Sequence, residues 1–171
     1  MSGDEHVVRE HGQIAAIAAL GLLIFTILAA GLVDVYRLQA ARNWAYRAAE
    51  AAALNGAAQG RDFSTIYTAG QARLVVDRAL DGARQVLDDS IARYGLIDVT
   101  YQLAASEWGR EEFPGFPPVP RADLWGSAYW QTDEPAVGVY IEVRVPTFLL
   151  GVLGNDSVQI HAFAASGVGS R

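Results

Sequence analysis

Ile14-Ala-Ala-Ile-Ala-Ala-Leu-Gly-Leu-Leu-Ile-Phe-Thr-Ile-Leu-Ala-Ala-Gly-Leu-Val33 carries no charge, and Thr26 has its one hydrogen-bonding side chain. About 20 apolar residues, rising about 1.5 Å each, match a hydrocarbon core of about 30 Å, so the run predicts a transmembrane helix over 14–33. A core helix of a soluble protein would show a polar stripe, and this run has none. A cleavable secretory signal fits less well: the run is longer than a typical signal core, and Asp4, Glu5, Arg9 and Glu10 make its leading end acidic. The segment is therefore expected to stay, with residues 1–13 as a polar N-terminal tail. Arg9 precedes the run whereas Arg37, Arg42 and Arg47 follow it, an asymmetry that by itself would keep the following domain in the cytoplasm. These arginines lie on a continuing helical pattern, so the charge count decides little.

Beyond the run, Val35, Leu38, Ala41, Ala45, Ala48 and Ala52 recur at three- and four-residue steps, while Arg37, Asn43, Arg47 and Glu50 fall elsewhere. The membrane helix is expected to continue to about Ala58 as an amphipathic stalk over 34–60, with Gly56 and Gly60 as its stop. Small side chains permit close approach of another helix or a sheet, which makes Ala45, Ala48 and Ala52 candidate interaction residues. Asp34, at the apolar boundary, is expected in the interface within reach of Arg37 or of the backbone near Leu38, rather than in a transport role.

Residues 61–171 read as a globular α+β domain. A second helical stripe, Val76, Leu80, Ala83, Leu87, Ile91 and Tyr94, predicts a helix from Gln71 to Tyr94, with Arg73–Asp77 and Asp89–Arg93 one turn apart and Gly95 closing it. The period then becomes two. Ile97, Val99, Tyr101 and Leu103 alternate with polar residues, as do Val137, Val139, Ile141, Val143 and Val145, and then Val158, Ile160, Ala162 and Ala164. Such strands suit a small antiparallel sheet of about three strands, one face covered by helices and the other solvated. Between the strands, near 107–135, a loop carries Pro117-Pro118-Val119-Pro120 among Trp108, Trp125 and Trp130. It reads either as a recognition surface or as a stiff loop whose aromatics cover the open face of the sheet.

The net charge is −6 and arginine supplies every basic side chain, so nucleic acid is not an expected partner. Cysteine is absent, which excludes disulfides and thiolate chemistry. His6 and His11 fall in the polar tail and His161 on the Gln159 side of the last strand, none with a partner at ligand spacing. There is no nucleophile elbow, no phosphate-cradling glycine loop and no carboxylate pair placed in a cleft, so no enzyme, metal, cofactor or small-molecule substrate is expected. Asn155-Asp156-Ser157 fits a glycosylation acceptor but is more simply a turn.

Several blocks together resemble the TadE/TadG-like proteins of Tad (Flp) pilus assembly. They are Gly12-Gln13 before the apolar span, Val33-Asp34-Val35-Tyr36-Arg37 after it, Ala49-Glu50-Ala51-Ala52-Ala53-Leu54-Asn55-Gly56-Ala57, and Val139 to Val145 followed by Pro146-Thr147-Phe148-Leu149-Leu150, Gly154 and Val158 to Ala165. Glu50 stands where that family has Asp, and Ile17 where a cleaved pilin leader has Glu, which draws the comparison toward the uncleaved TadG-like branch. Asp88-Asp89-Ser90-Ile91-Ala92 lacks the last serine of the metal motif carried by larger members, so no metal is implied. The resemblance implies a pilin-like architecture and a membrane-anchored assembly component in a bacterial cytoplasmic membrane. Its domain would lie outside that membrane and pack against other pilus or secretion subunits through the stalk and the Pro/aromatic loop. The alternative is a single-pass accessory subunit of a larger respiratory or photosynthetic complex.

Overall fold

A computed structural model describes residues 4–66, 72–95, 98–118 and 129–168, with side chains from residue 15 onward. Helix α1 runs unbroken over Asp4–Gly60, so the expected span and stalk are one element. Two-residue strands β1 (Arg61–Asp62) and β2 (Arg73–Leu74) follow, then helix α2 (Val76–Tyr94) and strand β3 (Val99–Ser106). Strands β4 (Glu111–Phe113), β5 (Trp130–Thr132) and β6 (Ala136–Pro146), the short helix α3 (Leu149–Val152) and strand β7 (Ser157–Gly167) complete the order. The fold is α+β, with a three-stranded sheet ordered β3-β6-β7 and two small two-stranded sheets, β1-β2 and β4-β5.

The chain divides into two compact units, one of residues Met1–Gln39 with Pro146–Val158, the other of Ala40–Val145 with Gln159–Arg171. The boundary between the units falls inside α1, and a segment between the last two long strands belongs with the N-terminal part. In the first unit, α1 is the one helix among the described residues that is long and apolar enough to cross a membrane, with mean hydropathy 2.6 in its most apolar window and none of that window buried.

The second unit holds the core. Ala41, Ala45, Ala48, Ala49, Ala52, Ala53 and Ala57 of α1 are buried, as are Ala79, Ala83 and Leu87 of α2 and Val137, Val139, Ile141, Val143 and Val145 of β6. Alanines and glycines let the two helices approach to backbone contact. A Cβ built on Gly56 would lie 2.6 Å from the Ala79 carbonyl oxygen and 3.1 Å from the Ala83 Cβ, and one on Gly60 would lie 2.5 Å from the Ala79 Cβ. Gly56 is therefore a packing position inside α1 rather than part of its stop. The helix ends at Gly60, whose carbonyl accepts from the Val75 N–H at 2.7 Å as the chain returns through β2.

Helix α2 begins at Val76 instead of Gln71, because Arg73 and Leu74 pair with Asp62 and Arg61 in the β1-β2 ladder. Arg73 consequently forms its ion pair with Glu107, at 2.6 Å, and not with Asp77. Asp89 and Arg93 do lie one turn apart, at 3.9 Å. Gly95 closes the helix with φ 68°, its N–H donating to the Ile91 carbonyl, as its lack of a side chain allows.

Strands β3 and β6 are antiparallel, with Val99 opposite Val143 and Ser106 opposite Ala136. The inward set of β6 is the expected one, but the opposite face is not solvated along its whole length. Gly138 and Tyr140 are also buried, and a Cβ on Gly138 would meet Phe116 and Trp130 rings at 2.9 Å. The N-terminal half of β6 is thus enclosed on both faces.

Candidate functional sites

In the first unit the chemistry converges on Asp34, one residue past the apolar run and 3% exposed. Its Oδ1 accepts from the Phe148 N–H at 2.8 Å, and its Oδ2 from those of Leu149 and Leu150 at 2.7 and 3.2 Å. These are the amides at the start of α3, which no intrahelical carbonyl can serve. A carboxylate there supplies charged acceptors to donors that have no partner within the turn. The Phe148 N–H bond above all holds the Asp34 carboxyl below its ordinary value; burial opposes this, while the Leu150 and Leu149 amides and the Arg37 charge reinforce it. Arg37 was the partner expected from the sequence, and the three amides were not. They lie 114 to 116 residues away, and the available sign was an acid closing an apolar run.

The loop that Asp34 grips is closed on itself. The Thr147 N–H donates to the Asp156 carbonyl at 3.1 Å and the Asn155 N–H to the Leu150 carbonyl at 2.8 Å, with Gly154 at φ 95° making the turn. Asn155-Asp156-Ser157 therefore begins as the exit of a turn. A Cβ on Gly31 would lie 3.2 Å from a Leu149 methyl, so α3 rests against α1 where α1 is narrow.

In the second unit, Ala45, Ala48 and Ala52 are 0, 4 and 0% exposed. The close-packing face expected on the stalk is buried within the chain, and at Gly56 on the same helix the neighbours are Ala79 and Ala83 of α2 and Val137 of β6. Trp130 stacks on Phe113 at 4.7 Å and meets Phe116 and Phe163 edge-on at 5.9 and 6.2 Å. This cluster lies over Gly138, so of the two roles read for the loop, Trp130 has that of covering the sheet. Trp108 is 37% exposed, with the Arg73 guanidinium 5.6 Å from its ring. Trp125 lies outside the described residues, as do 119–120 of the proline run.

His161 belongs to a polar cluster on the sheet. Its Nδ1 lies 2.7 Å from the Tyr140 hydroxyl and 3.9 Å from Glu142 Oε2, and the Gln159 amide donates to Glu142 Oε1 at 3.1 Å. Burial, followed by the neighbouring Glu142 charge, pushes the Tyr140 hydroxyl up to about 12. The sequence signal was the shared parity of Gln159 and His161; what it lacked was the register that sets them beside Tyr140 and Glu142. His6 and His11 have no described side chains. Among the described residues no three His, Asp or Glu side chains could hold a metal ion together. An open groove of about 440 Å³ lies between the α1 and α2 segments of this unit, where Trp44 stacks on Tyr94 at 5.1 Å beside Asn43 and Arg47.

No family model matches the chain, and no curated protein or solved structure matches it.

Proposed function

We propose that this protein is a membrane-anchored structural component of a pilus- or secretion-type assembly, of the kind its TadE/TadG-like resemblance implies, acting by protein packing rather than by catalysis. The observation that supports the reading is the dual character of α1. Its residues from Ile17 to Val33 present large apolar side chains outward, and its alanines from Ala41 to Ala57 are core. An element that is anchor at one end and scaffold at the other ties a domain to the bilayer without a flexible linker, which is the pilin-like plan. We place the protein in a bacterial cytoplasmic membrane as a single-pass protein with the C-terminal domain outside. Because the alanine face is filled internally, contacts with other subunits fall to exposed aromatic positions such as Trp108.

Affinity purification of the full chain from detergent-solubilised membranes tests the reading. Pilus or secretion subunits should co-elute, and Trp108→Ala should weaken their retention while leaving the circular dichroism spectrum unchanged. Elution of the chain alone, or together with a respiratory or photosynthetic complex, would overturn it. Proteinase added to spheroplasts should digest the domain, and its protection would refute the extracytoplasmic placement.

A further inference from the structure

The loop gripped by Asp34 has a composition and a hydrogen-bond inventory that an aqueous hairpin tip does not need. From Pro146 to Gly154 it contains no charged side chain. Phe148, Val152 and Leu153 are 65, 78 and 71% exposed, which sets three large apolar groups side by side with no protein over them. Scattered single apolar residues at a surface are ordinary, but a contiguous tip of this kind marks an interaction site.

The backbone N–H groups of the tip, that of Gly151 excepted, are paired at the same time. The N–H groups of Phe148, Leu149 and Leu150 go to Asp34, that of Thr147 to Asp156, those of Val152, Leu153 and Gly154 to the carbonyls of Phe148, Leu150 and Gly151, and that of Asn155 to Leu150. In water such groups could be left to solvent. Beside hydrocarbon no water replaces a missing partner, so a tip whose N–H groups are paired within the chain is suited to the headgroup level. The surroundings fix the level of the tip. Leu149 rests at Gly31 within the apolar run, and Leu28, Leu32, Val33, Val35 and Tyr36 expose apolar and aromatic surface on α1 in the same unit. Aromatic residues at the end of a membrane helix favour the headgroup level.

We infer that residues 148–153 form a wedge that inserts its Phe148, Val152 and Leu153 side chains into the lipid bilayer beside the end of the transmembrane segment, with Asp34 as the clasp that orients it. The inference rests on the anchor reading above. The wedge gives the protein a second, shallow attachment and so limits rotation and tilt of α1 in the membrane. Its occupant is lipid, because the tip rests through Leu149 at Gly31 within the apolar run and shares that run's lack of charge.

The chain contains no cysteine, so single-cysteine variants can be labelled cleanly. Spin labels at Val152→Cys, Leu153→Cys, Ile24→Cys and Asp81→Cys of the full chain, in nanodiscs of phosphatidylcholine and phosphatidylglycerol, report depth by their relaxation with oxygen and with a water-soluble nickel complex. Each of these side chains is exposed, so the label displaces no packing. Positions 152 and 153 should lose nickel accessibility and gain oxygen accessibility, as position 24 does, with position 81 showing the opposite. Labels at 152 and 153 in water while 24 is in lipid would overturn the wedge, leave the anchor standing and free the tip for a protein partner. A label at 24 in water would overturn the anchor and the wedge with it. In the Asp34→Ala background, labels at 152 and 153 should regain nickel accessibility; unchanged depth there would refute the clasp.

Discussion

One carboxylate does most to organise the first unit. Asp34 replaces three missing helix partners at once, and its charge makes each bond stronger than a neutral acceptor would. Asp34→Ala should therefore raise hydrogen exchange at the amides of Phe148, Leu149 and Leu150 by on the order of tenfold or more, with amides in α2 unaffected. Protection that stays unchanged would mean that the loop is held by other contacts. The same bonds carry a pH dependence of defined sign. The Asp34 pKa is lowered in the folded protein, so its stabilisation is complete above the unfolded value of about 3.9 and is lost as pH falls through the folded value. Exchange at those three amides, corrected for its intrinsic pH dependence, should stay constant from neutral pH to about pH 4 and rise only below that. A rise already near neutral pH would contradict the assignment. His161 teaches a related lesson at this scale: a histidine with no partner nearby in sequence found Tyr140 and Glu142 through strand register.

Elements owe their ends and faces to what they meet. Periodicity located the two long helices, and Gly95 ends α2 as its spacing indicated. It misplaced the start of α2, because the pairing of Arg73 and Leu74 with β1 overrides local helical preference. It also misread Gly56, since a glycine near a helix end can be a terminator or a point of close approach, and only the neighbouring backbone distinguishes the two. A methyl at Gly56 would sit 2.6 Å from the Ala79 carbonyl oxygen. Overpacking of this sort costs about 1–3 kcal/mol, and replacing glycine by alanine in a helix returns up to about 1 kcal/mol. Gly56→Ala should thus lose about 1–2 kcal/mol in chemical denaturation of the purified chain in detergent micelles. Gly21→Ala, in the same helix with nothing within 4 Å of the added methyl, should show no such loss. Equal behaviour of the two variants would show that the α1–α2 crossing is looser than these distances imply. Strand β6 shows the same principle in a sheet: alternation identified its inward face, and the aromatic cover over Gly138 came from residues outside the strand.

For the whole molecule, the sequence determined the apolar helix, because a run of about 20 uncharged residues has few physical uses besides spanning a bilayer. Alkaline carbonate should leave the chain in the membrane pellet. Leu23→Arg, placing a charge at mid-span for about 2.5–3.5 kcal/mol on insertion scales, should move a measurable fraction into the supernatant. Full retention of that variant would speak against a spanning helix. The α+β class and the alternating strands were equally legible, since they depend on local spacing of apolar residues. Tertiary structure alone decided which surfaces are used internally and which remain exposed. Ala45, Ala48 and Ala52 are core, while Phe148, Val152 and Leu153, between two strands, are left exposed beside Asp34. The physical reason is that burial depends on which distant segments meet, and contacts such as Asp34 with Phe148 or Gly56 with Ala79 join residues whose sequence spacing carries no period.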